Sequence, residues 1–266
     1  MSKTLTVNTP YAGQAPRRGS NIDVGSAAVA GQGNDDPLLR LSRLSGVGVE
    51  VAAAQAAVDA VLRDRGLRRI SDEQSAAGLL SAVRASAQLE PEPQRWLTGS
   101  VRAATEYVQL AGRIRSAPGQ VLARLHLLLE HGQLAVADLG RLRGDVDGER
   151  LTGLTRLLTA SGSAPTIVLA SIAHAEIAWI RPFRASGDGP DALIARAVEH
   201  LVLMSGGIDP AGVINIEQGH LDAGAGYLGA LSAYRTGTPD GVREWLVHCA
   251  RALARGAEVS LVHNRS

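Results

Sequence analysis

Apolar residues recur along this chain at the three- and four-residue spacing of helices buried on one face, and rarely at the alternate spacing of a half-buried strand. Asp36 and Pro37 read as an N-cap and a first helical residue ahead of Leu38, Leu39 and Leu41. Residues 49–65 carry Val51, Ala54, Val58, Val61 and Leu62 on one stripe and stop at Gly66. The pattern predicts a further helix over 72–89, closed by Pro91-Glu92-Pro93. Residues 94–115, with Trp96, Val101, Tyr107, Val108 and Leu110, and the leucine-rich run 118–131 predict two more. The charged, glycine-bearing stretch 132–150 predicts a loop with room for one short helix. Residues 164–180 place Ile167, Ser171, His174 and Ile177 on roughly one face. A helix over 190–205 ends at Gly206-Gly207, and two last helices, 221–235 and 238–256, are split by Gly237-Thr238-Pro239. No internal repeat is visible. The expected fold is all-α, one helical domain with N-terminal helices over 37–93 and a core over 94–258. Ahead of it, residues 1–36 are rich in Gly, Ser, Asn and Pro without periodicity, which predicts a disordered leader.

Composition narrows the picture. Aromatics make up 3% of the 266 residues while Ala, Leu and Val dominate, which strengthens the helical reading. A net charge of +1 gives no reason to expect nucleic-acid or membrane partners. Lys3 is the only lysine against many arginines, which reads as codon usage and not as a phosphate-binding signature. Cys249 is the single cysteine, so no disulfide forms within the chain. No apolar run is long enough to span a bilayer, and the N-terminus lacks a signal-peptide core; a cytoplasmic protein is expected.

The most informative stretch is His174 to Gly189, HAEIAWIRPFRASGDG. It reads as a helix running into an Arg-Pro-Phe corner, then a glycine-bearing loop, then Pro190 at the first position of the next helix. Such a loop offers unpaired N–H groups and the positive end of a helix dipole, a setting that suits phosphate. The stretch resembles the active-site motif of the Fic (Fido) family, usually His-Pro-Phe-x-Asp/Glu-Gly-Asn-Gly-Arg-x-x-Arg, with Arg181 in the place of the histidine. Three flanking features match the family in order. Leu125-His126 resembles an upstream helix; Tyr227, Ala230-Leu231, Gly237 and Trp245 resemble the closing helices. Ser86 and Glu90, followed by Pro91, resemble the inhibitory motif Ser/Thr-x-x-x-Glu-Gly/Asn. The likeness spans roughly residues 38–256. It departs in the loop, which holds an extra residue, and in the first motif arginine, which has no aligned counterpart.

The resemblance implies transfer of AMP from ATP, with Mg²⁺, to a hydroxyl of a protein target. It assigns phosphate or nucleotide binding to Ser186, Gly187, Asp188, Gly189 and Arg196, with Asp188 also toward Mg²⁺. It further implies that Glu90, beside Ser86, pairs with an arginine and obstructs ATP, Arg196 being the candidate partner. The base is the difficulty: an arginine stays protonated under ordinary conditions, so Arg181 cannot take a proton. Its planar fork could hold a phosphate or a carboxylate, or simply bond the carbonyls ending its helix. His174 is about two turns away, roughly 10 Å, too far to replace the base, and reads as a packed core histidine. His126 reads as core or as support for the site, and His131 as a helix C-terminal residue. Asp188 suits an N-cap as well as a metal contact. Two functions follow: a Fic-like nucleotidyltransferase relative with impaired or altered chemistry, or a non-catalytic helical interaction or regulatory module.

Overall fold

The structure, a computed structural model, describes residues 36–63, 71–160, 162–185 and 187–263. Most of the leader and Ser186 lie outside the described residues. Among these, the chain forms twelve α-helices and no named strand, so the fold is all-α. In order they are α1 (Pro37–Ser42), α2 (Val47–Arg63), α3 (Asp72–Gln88), α4 (Pro93–Ala104), α5 (Tyr107–Ile114) and α6 (Pro118–Glu130). There follow α7 (Gly148–Thr159), α8 (Thr166–Ile180), α9 (Asp191–Ser205), α10 (Ile216–Ala223), α11 (Ala225–Tyr234) and α12 (Pro239–His263).

The centre is the pair α8–α9, the most extensively packed in the molecule. Both helices are apolar around most of their circumference, the composition of a helix enclosed on all sides. Helices α5 and α6 cover α9, α7 lies on α8, and the long α12 packs on α2, α8, α10 and α11. Two small residues set the α10–α12 approach. A Cβ on Gly219 would stand 1.9 Å from the Ala252 carbonyl oxygen, and one on Gly256 would stand 2.4 Å from that of Asn215. A larger residue at either position would force the helices apart.

Local signals explain most boundaries. Asp36 accepts from the Leu38 N–H at 2.9 Å, and Ser71 with Gln74 closes a reciprocal capping box on α3. Three differences from the sequence reading have physical causes. The helix expected over 94–115 is two, because Thr105 turns its hydroxyl onto the Arg102 carbonyl at 2.7 Å and ends α4. The helix expected over 221–235 is also two, broken at Gly224 with φ 54°, and the first begins earlier, where Asn215 caps the Gln218 N–H. The charged stretch read as a loop ends in Asp147, which accepts from the Arg150 N–H at 2.9 Å and starts α7. The final helix runs on to His263, beyond the expected 256.

Candidate functional site

The corner after α8 is built by Pro182. A proline disfavours the right-handed helical region for the residue before it, and Arg181 takes φ 48°, ψ 66°, the left-handed cap. It is the only described non-glycine residue with positive φ. Phe183 is buried and stacks on the His126 ring at 4.7 Å. His126 in turn accepts from the Gly140 N–H at 2.8 Å and donates to the Arg184 carbonyl at 2.7 Å; burial lowers its pKa. Backbone bonds from Arg143 to Pro182 and from Arg184 to Arg141, both 3.0 Å, lay 141–143 alongside 182–184. His126 is thus core support for the corner, and His131 is the C-cap residue of α6.

The glycine loop follows. Gly187 and Gly189 both have positive φ, and a Cβ on Gly189 would lie 2.5 Å from that of Ala185. The Arg95 guanidinium stands beside Gly187. Asp188 is exposed and its carbonyl accepts from Arg181 Nη2 at 3.0 Å. Asp188 is not the N-cap: α9 starts at Asp191, with Pro190 in the cap position, one residue before its expected place inside the helix. No side chain caps this terminus, which leaves first-turn N–H groups for an anion. The positive-φ glycines, the uncapped helix end and the part-exposed Arg181 together fit a phosphate group.

Sequence reasoning overlooked Asp191. Its carboxylate is buried beside Arg181 Nε at 3.4 Å, and Oδ1 has no partner among the described residues. Burial raises its pKa to about 6, against the opposing pull of Arg181, Arg143 and the Phe183 N–H. Both charges belong to the same corner, so the Arg181 guanidinium has a resident counter-ion.

About one and a half turns further along α9, Arg196 is 1% exposed. Its Nε donates to Ser86 Oγ at 2.8 Å, and Nη2 donates to the Ser86 carbonyl at 3.1 Å and to Glu90 Oε1. Nη1 donates to the Tyr227 hydroxyl at 3.2 Å. The structure therefore brings Arg196 to Ser86 and Glu90, more than a hundred positions away, at the C-terminal end of α3, whose dipole suits a cation.

From Tyr227 a buried polar chain continues. The same hydroxyl meets His174 Nε2 at 3.0 Å, and His174 Nδ1 meets Glu199 Oε2 at 2.6 Å. His220 Nε2 meets that oxygen too, at 2.9 Å, while its Nδ1 faces His248 Nε2 at 2.9 Å. Burial works to raise the Glu199 pKa, but His174 and His220 outweigh it and hold the carboxylate well below its usual range. His174 is thus a packed and bonded histidine, as its position suggested. Glu199, His220 and His248 escaped sequence reasoning because they stand on three different helices with no motif spacing. So did Arg150, which grips Glu176 through two bonds of 2.5 and 2.7 Å and lies over the Trp179 ring. A surface groove of about 240 Å³ lined by Glu106, Arg113 and Arg124 lies on α5 and α6, away from this corner.

The chain superposes on the crystal structure of a Fic family protein from Desulfovibrio desulfuricans G20 with a TM-score of 0.59. The alignment covers 82% of this chain and 76% of that one at 16% identity. The fold is therefore Fic-like. No protein-family model matches the sequence, and no curated protein does. No described helix is long and apolar enough to cross a membrane.

Proposed function

We propose that this Fic-like protein is a relative of the protein AMP-transferases that has kept a phosphate-binding corner under an internal block and has lost the ordinary chemistry. The observation that carries the reading is the clasp of Ser86 and Glu90 on Arg196, inside a fold of this kind. In this reading Glu90 stands where a nucleotide phosphate would otherwise meet the guanidinium. The α9 N-terminus with Gly187 and Gly189 takes another phosphate, Ser186 is assigned to it by the resemblance alone, and the exposed Asp188 faces the accompanying Mg²⁺. ATP would supply the AMP group, and a protein hydroxyl would receive it. Arg181 cannot act as the base that takes the proton of that hydroxyl, so transfer by the family's usual route is absent or very slow.

Calorimetric titration of Mg²⁺·ATP into the native chain and into Glu90→Gly tests this. Binding should appear or tighten in the variant, and absence of binding in both proteins would overturn the reading. Arg181→His alone is expected not to restore robust transfer, because the enlarged loop and the missing first motif arginine persist. Strong autolabelling of that variant by labelled ATP would contradict this. A non-catalytic interaction module is the second reading, favoured by the enlarged loop and by the lack of a counterpart to the first motif arginine. It gains if no nucleotide binds.

A further inference from the structure

We infer that His174, Glu199 and His220 form a binding site for one divalent cation of the zinc type, buried in the core between α8, α9 and α10. The three side chains are 0%, 1% and 0% exposed, and one ligand atom from each lies within 4.8 Å of the others. Their convergence is more specific than a hydrogen-bonded cluster requires. Both imidazoles aim a ring nitrogen at the same oxygen, Oε2, at 2.6 and 2.9 Å, where two histidines seeking hydrogen bonds alone could divide between the two oxygens. Two imidazoles and a carboxylate are a ligand set that zinc accepts, with one position left over.

The surroundings match what ligating histidines need. Each keeps its remote nitrogen on a partner, His174 on the Tyr227 hydroxyl at 3.0 Å and His220 on His248 at 2.9 Å, the outer contact that fixes ring orientation and tautomer. The ring of Trp245 lies edge-on to His174 at 4.9 Å and blocks rotation. Cys249 is buried as a free thiol but does not belong to the converging trio. His248 is partly exposed and gives the cluster a route to solvent. Donors about tetrahedral zinc at ~2.0–2.1 Å stand roughly 3.3 Å apart, so seating the ion asks the 2.6 and 2.9 Å contacts to open by roughly 0.7 and 0.4 Å. The site does not depend on nucleotide binding, though Tyr227 joins it to Arg196.

The test uses the untagged, full chain, stripped with a chelator and reloaded with Zn²⁺ or Co²⁺. About one equivalent of zinc should remain after gel filtration. The cobalt form should show the intense visible bands of a four-coordinate ion. Zinc at a hundredfold excess over Kd should raise Tm by roughly 5–10 °C. Glu199→Gln and His220→Gln should each weaken binding by roughly a hundredfold or more, while the exposed His131→Gln leaves it unchanged. Should the core variants fail to fold, the cobalt spectrum of the native chain decides. Substoichiometric metal in the folded native chain, or a cobalt spectrum of an aquated six-coordinate ion, would overturn the site and leave a hydrogen-bonded network. Full binding that survives both folded core variants would overturn it as well.

Discussion

Arg181 and Arg196 stand at two depths of the same corner and are held in opposite ways. Arg196 is 1% exposed and saturated: four hydrogen bonds run to Ser86, Glu90 and Tyr227. The Arg181 side chain is 31% exposed and bound by a 3.4 Å ion pair and one carbonyl. The difference follows from desolvation. A guanidinium taken out of water must have nearly every donor met, so the fold supplies Arg196 with two hydroxyls, a carbonyl and a carboxylate. One left near water needs no such company, and its pair with Asp191 contributes at most about 1 kcal/mol. An incoming anion would therefore meet two unlike arginines, one open and one that must first release Glu90.

The sharpest way to break the comparison is to remove each arginine in turn. Arg196→Leu keeps much of the buried volume but strips Ser86, Glu90 and Tyr227 of their shared donor. A loss on the order of 3–5 kcal/mol is expected, as for a buried pair broken from one side. Arg181→Ala should change stability by less than about 1 kcal/mol. Urea denaturation of both variants measures the two values, and near-equal losses would show that the two sites are held alike. No such asymmetry is visible in the sequence, where both are arginines flanked by apolar residues.

Much else was legible. Asp36-Pro37, the Pro91-Glu92-Pro93 break and the stop at Gly206-Gly207 announce helix ends through chemistry confined to a few residues. The pairing of Glu90 with Arg196 was expected, though from family resemblance and not from spacing, since 106 positions separate them. What stayed hidden has two sources. Helix α7 was masked by the charge of GRLRGDVDGER, although Asp147 and the later Leu154, Leu157 and Leu158 carried the signal. Glu199, His220 and His248 meet only because α9, α10 and α12 pack together, and nothing local in any of the three encodes that meeting.

A gentler probe of the open half of the corner is pH. Asp191 titrates near 6 in the folded chain against its ordinary 3.8. A carboxyl whose folded pKa is raised contributes stability that is fully present below pH 3.8 and lost as pH rises through 6. The displacement corresponds to on the order of 3 kcal/mol. The groups facing it, Arg181, Arg143 and the Phe183 N–H, pull the other way but do not cancel its burial. Asp191→Asn lacks this titration, so its stability relative to the native chain should climb between pH 4 and 7 by up to about that amount. Parallel pH profiles for the two proteins would mean that the carboxylate ionises normally, and that Arg181 holds it more firmly than a 3.4 Å contact suggests.

The smallest effect concerns the Arg181 backbone. A non-glycine residue at φ 48°, ψ 66° costs roughly 1–2 kcal/mol relative to the ordinary helical region. Glycine adopts that conformation without the penalty but is freer in the unfolded chain, and it forfeits the Asp191 pair and the Asp188 carbonyl bond. These terms nearly cancel, so Arg181→Gly should lie within about 1 kcal/mol of the native chain, and above Arg181→Ala, which keeps the strain and loses the same contacts. Thermal melts of the two variants side by side isolate the backbone term. If alanine proves the more stable, the left-handed turn is relaxed in solution, and the corner that presents the glycine loop is softer than its proline implies.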